Sequence, residues 1–172
     1  LGIWDYPKEI SMKTYKPTYK GNSKQIKKLA ENLEEAKRPL FYLGGGCIAS
    51  NAANEIRELV KITQIPAVET LMALGTLRSD DELNLKMAGM HGSYTANMAL
   101  SECDLLVAIG ARFDDRITGK TSEFAKHSKI VHIDIDPSSI SKIINAHFPI
   151  VGDIKEVVKE LLEELKKNQF KS

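Results

Sequence analysis

The 172-residue sequence has little of several residue classes, and each shortage excludes a type of function. Aromatic residues make up only 6% and the net charge is only +1. The chain therefore lacks the base-stacking side chains and the basic field that nucleic-acid-binding and membrane-surface proteins use. No apolar run approaches the ~20 residues of a transmembrane helix, and no signal peptide is visible. The two cysteines, Cys47 and Cys103, have no metal-ligand spacing. We therefore expect a cytoplasmic protein with no metal site in this chain.

Catalytic constellations are also missing from the sequence. It shows no Ser-His-Asp set, no carboxylate pair in an acid/base arrangement and no metal cluster. Three of the four histidines, His127, His132 and His147, are isolated, and each is expected to be a satisfied surface or packing residue. His91 differs because it lies between glycines in the loop GMHG, where core packing does not explain it. The residues alone predict a binding domain without its own catalytic groups.

What the sequence does contain is a regular alternation of apolar strands and amphipathic helices. Strands that are apolar on both faces, alternating with helices, are typical of a doubly wound parallel sheet. The fold class is therefore predicted as α/β, with a mostly parallel six-stranded Rossmann-like sheet. Five strands can be placed, at 40–43, 66–70, 104–110, 129–136 and 149–153. Helices are predicted from Ser23, from Ser50 or Asn51, over 94–103, from Pro137 and over 154–167, and 71–92 is predicted as an irregular connection.

The beginning of the chain indicates a piece of a longer protein. It does not start with Met, and residues 1–21 resemble the end of a strand followed by a polar linker with prolines. We expect 1–21 to be the end of a preceding domain and its linker. Residues 22–172 would then form the nucleotide-binding domain.

Glycines follow the first predicted strand in a form that suits a phosphate ligand. Gly44, Gly46 and Ala49 satisfy G-x-G-x-x-A between a strand and a helix. Such glycines let the backbone approach a pyrophosphate, but three glycines can also simply make a tight turn. Glu69, at the end of the second strand, lies about where a dinucleotide fingerprint places its acid. An NAD-binding dehydrogenase domain is therefore an open alternative, and a non-catalytic nucleotide-binding or assembly module is another.

Charged residues follow the later strands, where ligands bind in open parallel sheets. The stretch ARFDDR comes directly after the central strand, and Arg112 could hold phosphate oxygens or pair with Asp114 or Asp115. Asp134 and Asp153 could accept hydrogen bonds from ribose hydroxyls or an adenine amine, or could cap helices. We favour the ligand-binding role for Asp134 and Asp153, and the helix-capping role for Asp136.

Long blocks of the sequence resemble one enzyme family. GMHGSYTANMALSECDLLVAIGARFDDRITGK and KIVHIDIDPSSISK closely resemble the central domain of the catalytic large subunit of acetolactate synthase. The opening WDYPKEI is similar to the end of that family's first domain. The resemblance covers nearly the whole chain, and ARFDDR is its most specific motif.

The resemblance implies a function and a set of cofactors. The full enzyme would condense two pyruvates, or pyruvate and 2-oxobutyrate, with loss of carbon dioxide, in branched-chain amino acid synthesis. Thiamine diphosphate and magnesium would do the chemistry, and FAD, without a net redox role, would bind this domain. Asp115 and Arg116 match positions that line the substrate and herbicide channel. The implied FAD contacts are Gly44, Gly45, Gly46, Thr70, Leu71, Gly89, Met90, His91, Gly92, Gly110, Ala111, Arg112, Phe113, Asp114, Asp134, Ile135, Asp153 and Ile154.

The family's catalytic motifs are not in this chain. The resemblance implies that the thiamine-activating glutamate belongs to the first domain of the full enzyme and the magnesium motif to its last domain. Gly152 and Asp153 are followed by nothing that resembles the magnesium motif. We therefore expect no catalysis by this chain alone. The resemblance also implies a homo-oligomer of the full-length catalytic subunit, with a small regulatory subunit.

Overall fold

The fold was obtained as a computed structural model, which describes residues 18–168 and residue 170. Its centre is a six-stranded sheet in the order β3-β2-β1-β4-β5-β6, and all five strand pairings are parallel. The predicted fold class is confirmed. The strands are β1 Pro39–Leu43, β2 Ala67–Glu69, β3 Asn84–Met87, β4 Leu105–Ile109, β5 Lys129–Asp134 and β6 Phe148–Val151.

Helices cover both faces of this sheet. They are α1 Ser23–Glu35, α2 Gly46–Ala49, α3 Ala53–Thr63, α4 Tyr94–Glu102, α5 Asp115–Thr118 and α6 Ile154–Lys167, with a 3₁₀ turn at Leu71–Ala73. Residues of α1, α3 and α6 form the larger buried cluster with one face of the sheet. Residues of α4 and of the loops that follow β4 and β5 form a second cluster on the opposite face.

Apolar spacing gave the long helices correctly because their buried residues recur at helical intervals. α6 has the predicted bounds. In α1 the apolar residues at helical spacing, Ile26, Leu29, Ala30 and Leu33, are buried. The cap of α1 differs from the prediction, since Asn22 rather than Ser23 accepts from the backbone N–H groups of the first turn.

The second predicted helix begins later than predicted, and a short helix that was not predicted precedes it. α2 ends at Ala49, and α3 begins at Ala53 instead of at Ser50 or Asn51. Asn51 has φ +53°, in the left-handed region that interrupts a helix and that asparagine tolerates better than most residues.

The helix predicted from Pro137 was wrong, because residues 137–144 form turns. The Asp136 carboxylate accepts from the backbone N–H and hydroxyl of Ser138 and from the hydroxyl of Ser139. Ser141 has φ +56°, which no α-helix accommodates. Asp136 therefore has the capping role that we favoured, but the segment it caps is a turn and not a helix. Serine and aspartate side chains that bond to nearby backbone groups compete with helix formation, and the contacts around Asp136 are of this kind.

The sixth strand, β3, lies inside the segment that was predicted to be an irregular connection. It is the edge strand of the sheet and has a register irregularity against β2. Of the segment predicted as a preceding domain and linker, the structure describes only residues 18–21. The domain boundary therefore stays a prediction.

Candidate nucleotide-binding site

A crevice of about 960 Å³ lies beyond the carboxyl ends of the strands. It spans the point between β1 and β4 where the strand order reverses, which is where open α/β sheets bind ligands. Its volume is at the upper end of the usual range for small-molecule pockets. Its lining residues are Tyr42, Gly44, Gly45, Gly46, Thr70, Leu71, Met72, Met87, Ala88, Met90, His91, Gly110, Ala111, Arg112, Asp114, Arg116, Ile117, Asp134 and Ser139.

The glycine turn after β1 packs directly against the loop after β4. A Cβ on Gly44 would lie 2.2 Å from the carbonyl oxygen of Gly110, and one on Gly46 would lie 2.7 Å from the Gly110 Cα. The N–H of Gly46 donates to the Gly110 carbonyl at 3.0 Å. The tight-turn explanation therefore accounts for Gly44 and Gly46 without a ligand. Gly45 differs, because its Cβ would approach the Met72 side chain on the crevice wall.

Thr70 contributes a buried polar atom that the fold itself does not use. Its backbone N–H donates to the Leu43 carbonyl at 2.9 Å, which fixes the residue at the end of β2. Its Oγ1 is buried and has no hydrogen-bond partner among the described residues. A buried hydroxyl without a partner is unfavourable, so this atom is a candidate ligand contact.

The four charges of ARFDDR are separated by the start of a short helix. Arg112 and Asp114 line the crevice and lie 3.5 Å apart in an ion pair, with 74% and 54% of their side chains exposed. Arg116 also lines the crevice, whereas Asp115 is exposed outside the lining at the first position of α5. An ion pair this exposed contributes little to stability, which leaves the Arg112 guanidinium accessible to an anion.

Phe113, which was predicted to contact the cofactor, has its side chain in the core. Its ring packs against Tyr42, Phe124 and His132, with centroid distances of 5.7, 5.8 and 5.2 Å. Only the backbone of Phe113 is therefore near the crevice wall. The buried ring anchors the loop that presents Arg112 and Asp114 on either side of it.

The loop GMHG presents two of its four residues to the crevice. Met90 and His91 line it, while Gly89 and Gly92 do not. Gly89 has φ +104° and exchanges two hydrogen bonds with the side chain of Asn97, at 2.9 and 3.0 Å. The glycines therefore shape the loop, and Met90 and His91 are the residues it exposes.

The two predicted acids that follow β5 and β6, Asp134 and Asp153, have different positions in the structure. Asp134 lines the crevice with only 13% of its side chain exposed, and its Oδ1 accepts the Asp136 N–H at 2.9 Å. Asp153 accepts the Glu156 N–H and caps α6, and Ile154 is buried in the core cluster that α6 forms. Asp153, Ile154 and Ile135 are not part of the crevice lining. The structure thus places Asp134 in the crevice and gives Asp153 the capping role that was the alternative.

Glu69 does not serve as a ribose-binding acid, and the NAD alternative loses its support. The side chain is 2% exposed, and it accepts from the Leu77 N–H and the Asn84 Nδ2, both at 3.1 Å. The carboxylate holds the connection between β2 and β3. It does not line the crevice.

Two functional candidates were missed by the sequence reasoning. Tyr42 lines the crevice, and its hydroxyl donates to the Arg112 carbonyl at 3.4 Å. Burial, together with the charge of Asp114, raises the pKa of Tyr42 well above its usual value. His132 is fully buried beside Asp134. The signal for His132 was its position two residues before Asp134, which places both side chains on one face of a strand.

Two features are absent from the described part of the chain. No three His, Cys, Asp or Glu side chains there are grouped so as to hold a metal ion. Within residues 18–168, no helix has the length and apolar character that crossing a membrane requires.

An open parallel α/β sheet with a ligand-sized crevice at its switch point defines the class of doubly wound ligand-binding domains. Within that class, residues 26–161 match the family model of the thiamine pyrophosphate enzyme central domain. The chain belongs to this family.

Curated relatives agree with the family. The chain is 46% identical over 168 residues to the acetolactate synthase large subunit of Buchnera aphidicola subsp. Schlechtendalia chinensis, covering 98% of the chain and 29% of that protein. It is 46% identical to the acetolactate synthase of Mycobacterium avium and to the acetolactate synthase large subunit of Corynebacterium glutamicum. Each of these two alignments covers 95% of the chain and 26% of the relative. The chain thus spans less than a third of the length of these relatives.

Proposed function

We propose that this chain is the FAD-binding central domain of an acetolactate synthase large subunit. The observation that carries the proposal is the crevice at the strand-order reversal. It combines a glycine turn, an accessible guanidinium, a nearly buried carboxylate and a buried hydroxyl without a described partner. The high identity to acetolactate synthases over nearly the whole chain supports the same assignment.

The residues present fit a flavin nucleotide. Arg112 would hold phosphate oxygens through its guanidinium, which forks onto anionic oxygens. Asp134 would accept hydrogen bonds from ribose hydroxyls or the adenine amine, and Thr70 would supply a hydroxyl to a polar group of the ligand. The exposed apolar side chains of Leu71, Met72 and Met90 offer surface to a flat ring. The resemblance to acetolactate synthase implies that FAD has no net redox role. The role of these residues would therefore be to bind and orient the flavin.

The activity of the complete protein is part of the same proposal. It would condense two pyruvates, or pyruvate and 2-oxobutyrate, with loss of carbon dioxide, using thiamine diphosphate and magnesium held by domains outside this chain. Arg116 and Asp115 would face that active site. The proposal includes assembly of the full-length catalytic subunit as a homo-oligomer with a small regulatory subunit, in the cytoplasm. The 172-residue chain alone would not turn pyruvate into acetolactate.

Thermal unfolding with added nucleotides tests the binding proposal. A ligand that binds only the native state at about 100 times its Kd stabilises by about 2.7 kcal/mol. For a chain of this size that corresponds to a rise in Tm of about 5–10 °C. We expect FAD and ADP to raise the Tm and NAD to have little effect. Protection by NAD alone, or by none of the three, would contradict the proposal.

Substitution of Arg112 tests the role assigned to its guanidinium. Arg112→Ala should weaken ADP binding about tenfold in isothermal titration calorimetry, because one charge-assisted hydrogen bond contributes about 1.5–3 kcal/mol. Lys126→Ala is the matched control, since it removes one exposed positive charge outside the crevice. In the full-length enzyme, Arg112→Ala should reduce FAD retention, whereas Arg116→Ala should mainly change turnover or inhibitor binding. Equal ADP affinity in Arg112→Ala and wild type would show that the guanidinium does not bind the phosphates.

A further inference from the structure

His132 is a polar side chain that the fold buries without using. It lies on β5, in register with Ala108 of β4, which is in register with Tyr42 of β1. The side chain is fully buried, and its ring packs edge-on against Phe113 with centroids 5.2 Å apart. Neither ring nitrogen has a hydrogen-bond partner of ordinary geometry among the described residues, although the Ala111 backbone lies near enough to the ring to favour its charged form. A buried polar group without a partner costs about 1–3 kcal/mol, so packing alone favours an apolar residue at this position.

The charged group that faces this ring is Asp134. The two residues are separated by one position on β5, so their side chains share a face of the sheet. The Nε2 of His132 lies 3.9 Å from the Oδ2 of Asp134, which is about 1 Å beyond ordinary hydrogen-bond length. The other carboxylate oxygen is already held by the Asp136 N–H. Oδ2 is therefore the carboxylate oxygen that a donor on the ring would hold.

The surroundings of the ring favour its neutral form. Burial lowers the pKa of His132, and the Asp134 carboxylate and the Ala111 backbone offset that lowering only in part. The ring of Phe113 packs edge-on against His132 and also packs against Tyr42, whose own pKa is raised by burial. A neutral imidazole with its proton on Nε2 is a hydrogen-bond donor toward Oδ2.

We propose that His132 is a positioning residue of the nucleotide site, and that its Nε2–H holds the Asp134 carboxylate in the orientation that accepts hydrogen bonds from a ribose or adenine group. This inference rests on the proposed nucleotide binding. With Oδ1 held by the Asp136 N–H and Oδ2 by His132, the carboxylate plane is fixed and its remaining lone pairs face the crevice. Such support of a binding group by a neighbour preorganises the site and reduces what ligand binding must order.

Variants that separate packing from hydrogen bonding test the inference. His132→Phe keeps an aromatic ring in the core and removes the donor, and His132→Gln keeps a donor. The full 172-residue chain is titrated with ADP by calorimetry. We expect His132→Phe to weaken ADP binding about tenfold, the equivalent of one hydrogen bond to a charged group. His132→Gln should stay within about threefold of wild type, as a partial rescue by a retained donor. His127→Phe and His127→Gln are controls at an exposed histidine outside the crevice.

A cycle with Asp134→Asn shows whether His132 acts through Asp134. In the Asp134→Asn background, His132→Phe should cause no further loss of ADP affinity, because the group it positions has been removed. A role of His132 in packing alone would change the Tm in both backgrounds and leave the ADP affinity of each background unchanged.

Nitrogen-15 NMR of the histidine rings gives a readout that needs no ligand. We expect His132 in the free chain to be neutral with its proton on Nε2. Its pKa should fall in Asp134→Asn, because the carboxylate that favours the charged ring is lost. Addition of ADP should shift the Nε2 signal.

The outcomes distinguish this inference from the proposal on which it rests. If wild type binds ADP and His132→Phe binds it equally well, the inference is overturned and the nucleotide site stands. A neutral ring with its proton on Nδ1 would also overturn the inference. If wild type binds neither ADP nor FAD, the proposed function fails and the positioning role fails with it, while the NMR comparison with Asp134→Asn still decides whether the two side chains interact.

Discussion

At the scale of single residues, the crevice depends on a contact between two loops that leaves no room for a side chain. Gly44 and Gly110 meet where β1 and β4 end, and Gly110 has φ +59°, a conformation that favours glycine. The sequence showed three adjacent glycines but could not show that two of them face another loop. That distinction requires knowing which strands are neighbours.

Gly44→Ala and Gly45→Ala should therefore differ in stability. The new methyl group at position 44 would overlap the Gly110 carbonyl, so Gly44→Ala should lower the free energy of unfolding by about 1–3 kcal/mol. At position 45 the backbone has φ −58°, which suits alanine, and the methyl would lie 3.1 Å from the Met72 Cβ, a tight but longer contact, so the loss should be smaller, about 0.5 kcal/mol. Urea denaturation of both variants measures the difference. Equal stability losses would show that the loop contact is not the reason for the glycine.

The buried imidazole of His132 should make stability depend on pH. Burial lowers the pKa of this group below its ordinary value of 6.5, so the unfolded chain binds a proton that the folded chain does not. The unfolding free energy should therefore fall as the pH is lowered below about 6.5. Urea denaturation at about pH 7.5 and about pH 5.5 measures this fall, which His132→Phe should reduce. A fall of the same size in His132→Phe would assign it to other groups.

At the scale of elements, the connection from β2 to β3 is organised by polar contacts that have no sequence periodicity. Arg57 of α3 donates to the carbonyls of Thr76 and Gly75 at 2.8 and 3.0 Å, and Glu69 holds the Leu77 N–H. These contacts position the 3₁₀ turn that carries Leu71 and Met72 to the crevice. The segment was predicted as irregular, and β3 was missed within it, because a four-residue edge strand gives only a short pattern.

Arg57→Met tests the role of these contacts. It should lower the free energy of unfolding by about 1–3 kcal/mol, because two backbone carbonyls lose a charged donor. Amide hydrogen exchange in residues 71–81 should accelerate more than exchange in β4. Arg78→Met is the control, since its ion pair with Asp80 is exposed and should leave both measurements nearly unchanged. Uniform acceleration across the sheet would show a global effect instead of a local one.

At the scale of the whole molecule, packing against the sheet buries both cysteines. Cys47 and Cys103 are free and buried, on opposite faces of the sheet. Burial raises the pKa of the Cys47 thiol to about 12 and also raises the pKa of Cys103. Since the thiolate is the reactive form, neither residue should react in the folded chain.

The thiols should therefore report global unfolding. In a titration with a disulfide reagent at mildly alkaline pH, both should react rapidly in concentrated guanidinium chloride, and both should react slowly and at similar rates in buffer. Their rates in buffer would reflect the small fraction of unfolded chains, on the order of one in a thousand to one in a million. Rapid reaction of one cysteine alone would reveal local opening of the face on which it lies. FAD should slow both reactions if it binds the folded chain.

The amino-acid sequence by itself determined the α/β class, the bounds of α6, the apolar face of α1, and the placing of candidate ligand residues after the strands. Those properties depend on local spacing, because apolar periodicity and strand-end position are read within a single segment. Only the tertiary structure decided that Gly44 and Gly46 pack on Gly110, that Asp153 caps α6 instead of lining the crevice, and that Glu69 faces inward. It also decided that His132 is buried beside Asp134 without a described hydrogen-bond partner. Each of these depends on which strands are neighbours and on which face a side chain lies, and both are set by contacts between residues far apart in the chain.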